Sequence, residues 1–126
     1  MDKNQTIKFL QDFWVCVVSQ EKDALSHYFQ ESAVIRWHAT NEEFTLEEYL
    51  IANCEYPGDW DVEIIEVFGE YNHYITVVKV FSDDLSCFVT SIFQLKDDRI
   101  ISLDEYYADV ANPPEWRQQM KLGRII

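Results

Sequence analysis

Between residues 61 and 107 apolar and polar side chains alternate in four successive segments, interrupted only by Gly69-Glu70-Tyr71-Asn72, Ser82-Asp83-Asp84 and Lys96-Asp97-Asp98. A period of two is the mark of a strand with one face on a core. Breaks of three or four polar residues suit hairpins and leave no room for crossover helices. The expected strands are 61–68, 73–81, 86–95 and 99–107, joined as an antiparallel meander. Such a sheet has one apolar face, which other elements must cover.

The covering material lies upstream. From 4 to 19, Ile7, Leu10, Trp14, Val17 and Val18 recur at helical spacing, and Phe9, Phe13 and Cys16 widen the stripe, so this helix should be largely buried. A second helix is expected over 22–29, where Ala24, Leu25, Tyr28 and Phe29 repeat at three and four residues. Ala33-Val34-Ile35-Arg36-Trp37-His38 exchanges helix formers for β-branched and aromatic residues and reads as a strand. Thr45-Leu46-Glu47-Glu48 has the form of a capping box, so a third helix should begin there, with Leu46, Tyr49, Leu50 and Asn53 on one face. Tyr56-Pro57-Gly58-Asp59-Trp60 stops it and turns the chain. No linker, repeat or low-complexity tract interrupts the 126 residues. They are expected to form one α+β domain, with 108–126 as a C-terminal extension.

Charge narrows the function. Twenty-three acidic side chains against ten basic ones leave a net charge of −13, which repels phosphate backbones and anionic lipids. Neither nucleic acid nor membrane is an expected partner. No apolar run approaches the roughly 20 residues needed to span a bilayer, and the N-terminus lacks the sections of a signal peptide, so a cytoplasmic location is expected. Cys16, Cys54 and Cys87 are odd in number and widely spaced, as suits reduced, buried thiols. Without a Gly-rich phosphate loop, a His-x-x-x-His pair or a dense acidic motif, the expectation is no cofactor and no metal.

The last strand carries the main chemical signal. Alternation puts Ile101, Leu103, Glu105 and Tyr107 on one face, expected to be the core face, and Ile100, Ser102, Asp104 and Tyr106 on the other. An acid among apolar neighbours has a raised pKa. Glu105 thus suits proton transfer or ligand orientation with Tyr107 beside it; equally, it suits accepting a hydrogen bond from a core tyrosine or tryptophan. Trp37 and His38 end the first strand at what should be a cavity rim, and His38 has the side chain best fitted to proton transfer near neutral pH. Tyr49 and Asn53 lie one helical turn apart, and the Pro-Gly turn returns Trp60 toward them. The three either hold an apolar ligand or pack as core. Ser91 adds a polar group to an inward face shared with Val89, Phe93 and Leu95, without the Gly-x-Ser-x-Gly elbow of a serine hydrolase.

The order ααβαββββ resembles the SnoaL-like family of the nuclear-transport-factor-two-like superfamily over nearly the whole chain. Within it stand Phe29-Gln30-Glu31-Ser32-Ala33-Val34, Tyr56-Pro57-Gly58-x-Trp60 and Ile100-x-x-x-x-Glu105-Tyr106-Tyr107, with Trp116-Arg117 beyond. The resemblance implies a cystatin-like α+β roll, in which a curved antiparallel sheet wraps as a cone around three N-terminal helices. It often encloses a cavity and often forms a homodimer through the sheets. It does not imply one chemistry. Cyclases of this type use an aspartate near the cavity, and Glu105 sits in the comparable stretch of the last strand. Ketosteroid isomerases add a donor tyrosine where Trp14 stands, which disfavours that activity.

Two function classes remain. One is a small-molecule protein with a cone cavity lined by Trp14, Trp37, Tyr49, Asn53, Trp60, Ser91 and Tyr107, with Glu105 and His38 as candidates for cyclase, isomerase or dehydratase acid/base chemistry. The other is a non-catalytic dimerisation or interaction module whose cavity Trp14, Trp37, Trp60 and Tyr107 close. In both, an outer sheet face including some of Ile92, Val78 and Val80 should leave apolar area for a homodimer.

Overall fold

A computed structural model describes all residues, Met1–Ile126. In chain order it contains α1 (Lys3–Ser19), α2 (Lys22–Ser26), β1 (Phe29–Trp37), a single 3-10 turn (His38–Thr40), β2 (Glu42–Thr45), α3 (Leu46–Cys54), β3 (Asp61–Glu70), β4 (His73–Phe81), β5 (Ser86–Lys96), β6 (Arg99–Asp109) and α4 (Glu115–Gln119). The six strands make one curved, unclosed sheet in the order β2-β1-β6-β5-β4-β3, wrapped around the first three helices. No helix is long and apolar enough to cross a membrane.

The meander β3–β6 is antiparallel throughout, as the short polar breaks require. β1, however, lies parallel to β6, so the sheet is mixed and not wholly antiparallel. β2 is an addition to the expected elements. Glu42-Glu43-Phe44-Thr45 carries no alternation of its own; it is held by antiparallel pairing with β1 and by Phe44, whose ring meets Trp37 edge-on at 4.6 Å. β1 also begins earlier than expected, and α2 ends sooner. The carbonyl of Tyr28 accepts a hydrogen bond from the Ile100 amide at 2.9 Å, drawing Phe29 into the sheet where local periodicity favours helix.

Two helix starts follow local rules. Asp2 accepts from the Gln5 amide at 2.8 Å while its own N–H donates to the Gln5 side chain at 2.9 Å, and Thr45 and Glu48 make the reciprocal pair expected at α3.

Register decides which side chains meet inside. One inner row runs Gly69, Tyr74, Phe93, Leu103, Ile35; the next runs Val67, Thr76, Ser91, Glu105, Trp37; a third runs Ile64, Val78, Val89, Tyr107. Of the three residues considered for the outer face, Val78 and Val80 face inward, because β4 pairs Thr76 with Ser91 and turns its even-numbered residues to the core. Ile92 does face outward, in a row with Phe68 and Ile75. A bulge where β5 meets β6 also removes Ile101 from the expected core set: Ile100 pairs with Leu95 and is fully buried, and alternation resumes at Leu103. β6 runs on to Asp109, so the C-terminal extension starts two residues later than expected and carries the short exposed helix α4.

α1 lays Leu10, Phe13, Trp14 and Val17 into the concave face. Phe13 stands at the hub, meeting Trp14, Tyr28, Phe29 and Phe93 in edge-to-face contacts with centroids 5.5 to 5.7 Å apart. Such geometry adds to the area that a buried ring removes from water. Phe13→Ala is expected to cost about 3 to 5 kcal/mol of unfolding free energy, read as a lowered denaturant midpoint.

Candidate functional site

The second inner row is polar where its neighbours are apolar. Thr76, Ser91 and Glu105 are 0%, 0% and 2% exposed and stand side by side on β4, β5 and β6, with Trp37 of β1 completing the line. A buried polar atom without a partner is costly, and here every one has a partner. Trp14 Nε1 donates to Thr76 Oγ1 at 2.9 Å. Ser91 Oγ donates to Glu105 Oε2 at 2.8 Å, and Trp37 Nε1 donates to Oε1 at 3.2 Å. The Tyr107 hydroxyl reaches the same Oε1 at 3.5 Å, the outer limit of a hydrogen bond.

Burial pushes the Glu105 carboxyl up to about 7, and the donors Ser91, Trp37 and Tyr107, which favour the ionised form, offset that only in part. The same burial, followed by the charge of Glu105, holds the hydroxyls of Tyr49 and Tyr107 well above the ordinary tyrosine value. Tyr107 is 37% exposed as a residue, yet its hydroxyl points down to the carboxyl: the ring spans from surface to interior.

Above this layer opens a cavity of about 490 Å³. Its walls come from the end of α1, from the 3-10 turn, from α3, from the turn bearing Tyr56 and Trp60, and from β4–β6. Trp37 and Tyr107, packed edge-to-face at 6.0 Å, form the side nearest Glu105. Glu105 itself does not line the cavity, but two of its three donors do.

The expected site residues divide into three groups. Trp37, Asn53, Trp60 and Tyr107 come together at the cavity. Asn53 also braces it, its side-chain amide donating to the Val17 carbonyl at 3.1 Å, while Trp60 Nε1 donates to the Pro57 carbonyl at 3.0 Å. Glu105, Ser91 and Tyr49 form the buried layer beneath, with Tyr49 edge-on to Trp37 at 6.2 Å. Trp14 and His38 stand elsewhere. Trp14 is core, tied to Thr76 and absent from the cavity wall. His38 belongs to the outer face, alternating with the inward Trp37, while Ala39 and Thr40 of the same 3-10 turn return to the cavity wall. Its Nε2 lies 2.7 Å from Asp104 Oδ1 and its ring stacks on Tyr106 at 4.4 Å, so the sheet separates it from Glu105. Thr76, Gln20, Tyr56, Cys87 and Asp109 are the additions. Asp109 continues the alternation of Leu103, Glu105 and Tyr107 and was legible in principle; Thr76 acquires its role only from strand register.

No family model and no curated protein matches the sequence. Solved structures do match. A nuclear-transport-factor-two-like protein of unknown function from Burkholderia xenovorans superposes with a TM-score of 0.81 at 19% identity, over 100% of this chain and 98% of its own. A candidate SnoaL-like polyketide cyclase from Shewanella putrefaciens gives 0.71 at 8% identity, over 82% and 79%. A hypothetical protein with a ketosteroid isomerase-like fold from Catenulispora acidiphila, solved with trimethylamine, gives 0.66 at 14% identity, over 79% and 85%. The chain has the nuclear-transport-factor-two-like fold, shared with SnoaL-like and ketosteroid isomerase-like proteins.

The buried acid makes stability depend on pH in a stated direction. With a folded-state value of about 7 against an ordinary 4.5, the folded protein holds the Glu105 proton over a range where the unfolded chain has lost it. Stability is therefore expected to fall as pH rises from 4.5 through about 7, by on the order of 3 kcal/mol from this group, and to change no further above that. Glu105→Gln should flatten that part of the profile in denaturant titrations run across the same pH range.

Proposed function

We propose that this protein binds a small apolar or aromatic molecule in the cavity beside Trp37 and Tyr107, and that Glu105 is its acid/base or ligand-orienting group. The chemistry this suits is proton transfer of the cyclase, isomerase or dehydratase kind. One observation carries the reading: a buried carboxyl poised near neutrality is held by two residues that themselves line the cavity. A group with its pKa near working pH can both take a proton and return it. Oε2 is committed to Ser91, which leaves Oε1, on the Trp37 and Tyr107 side, as the oxygen that exchanges a proton. The Tyr107 hydroxyl, at 3.5 Å the loosest contact, is the one a substrate hydroxyl or acidic C–H displaces. Small organic ligands are compatible with the fold, as the trimethylamine of the Catenulispora protein illustrates.

A second reading, a non-catalytic module, is favoured by the 2% exposure of Glu105, which lies covered by Trp37 and Tyr107. Under either reading the outer sheet face is proposed to join two copies. Phe68, Phe88 and Tyr106 are 47%, 40% and 46% exposed there, with Ile75, Val77 and Ile92 between them. The three unpaired, half-buried thiols suit a reducing, cytoplasmic setting.

Trp60→Ala is expected to weaken binding of a neutral naphthylamine fluorophore about tenfold while costing less than about 3 kcal/mol of stability, because Trp60 is only partly buried. A large stability loss with unchanged affinity would return Trp60 to the core. Glu105→Gln should leave the fold intact and erase the change in probe affinity between pH 6 and pH 8, roughly the interval over which the acid titrates; a persisting change would end the proton-transfer reading. Sedimentation at about 50 µM, far above a dissociation constant of about 1 µM, is expected to give a dimer, and a monomer there removes the proposed interface.

A further inference from the structure

We infer that the cavity selects an organic cation, an alkyl- or aryl-ammonium compound whose charged end lies among aromatic rings and against Asp109. This rests on the reading of the cavity as a ligand site and names the class of ligand. The wall contains four aromatic side chains, Trp37, Tyr56, Trp60 and Tyr107, and one charged group, Asp109. No lysine, arginine or histidine lines it.

The side-chain N–H groups are equally one-sided, and the Tyr56 hydroxyl is the one uncommitted O–H on an aromatic ring of the wall. Trp37 Nε1 is spent on Glu105 and Trp60 Nε1 on the Pro57 carbonyl. Gln20 Nε2 donates to the carbonyls of Asn53 and Tyr56 at 2.9 and 2.7 Å. Asn53 Nδ2 donates to Val17 O at 3.1 Å and meets Cys54 Sγ at 3.8 Å. Every side-chain N–H of the wall is thus committed inside the protein, so an anion finds no N–H donor there. What the indoles still offer an occupant is their rings, whose faces are negative and attract cations.

Asp109 adds a full negative charge with no ion pair of its own. It follows Glu105 and Tyr107 on the inward side of β6, opposite Cys87. A bare divalent metal needs several oxygen ligands, and no group of three His, Cys, Asp or Glu side chains is placed to share one. An ammonium ion carrying methyl or aryl groups needs only aromatic faces and one counter-charge. The net charge of −13 raises the local concentration of any cation.

The test compares phenyltrimethylammonium with tert-butylbenzene, which has the same shape and no charge, by following the indole N–H resonances of Trp37 and Trp60. The cation is expected to bind at least about tenfold more tightly, with benzenesulfonate not binding. Asp109→Asn should reduce the preference about threefold or more and leave the tert-butylbenzene affinity unchanged. Equal or tighter binding of tert-butylbenzene overturns the cation inference while leaving the cavity as an apolar site. A preference untouched by Asp109→Asn overturns the role of that carboxylate. If neither compound moves the resonances, the cavity reading falls, and this inference with it.

Discussion

A carboxyl group can remain inside the apolar face of a sheet only where donors are brought to it, and that requirement organises this protein. Ser91 reaches Glu105 from the next strand on one side and Trp37 from the next strand on the other, so the acid is satisfied only when β5, β6 and β1 hold one register. A slip of one residue would turn Glu105 outward and Asp104 inward, stranding both donors. The parallel pairing of β1 to β6, which departs from a simple meander, is also what brings the Trp37 indole to Oε1.

Satisfying the acid does not make it comfortable. The donors favour the charged form, yet burial still wins and lifts the pKa to about 7. An apolar residue at this position would spare the protein a desolvation penalty, and buried ionisable groups are often stabilising to replace. Under the proposed function, the carboxyl is retained there for its proton. Trp37 and Tyr107 link the two layers: each presents a polar atom to the acid and an aromatic surface to the cavity.

The outer face follows a different logic. Arg36 pairs with Glu43 at 3.0 Å and with Asp104 at 3.5 Å, while His38 closes on the same Asp104. These contacts are substantially exposed and contribute little to stability. β3 forms one open edge of the sheet and carries Asp61, Glu63, Glu66 and Glu70, charges that discourage edge-to-edge pairing.

Local chemistry in the sequence by itself determined the four long strands, the capping box at Thr45 and Glu48, the buried stripe of α1 and the inward turn of Glu105, because each depends on periodicity or on residues a few positions apart. Tertiary structure alone decided the rest. β2 has no pattern of its own and exists by pairing with β1; Phe29 leaves a helical pattern because the Ile100 amide claims the Tyr28 carbonyl; and a bulge exchanges Ile100 for Ile101 in the core. The candidate site divides in the same way. Trp37, Asn53, Trp60 and Tyr107 were legible as a set because aromatic and amide side chains flank turns and strand ends. Asp109 was legible in principle from the alternation of β6, whereas that Trp14 belongs to the core and that His38 faces away was not. Those placements depend on which strand lies beside which and in what register, and contacts between residues dozens of positions apart leave no local trace in the chain.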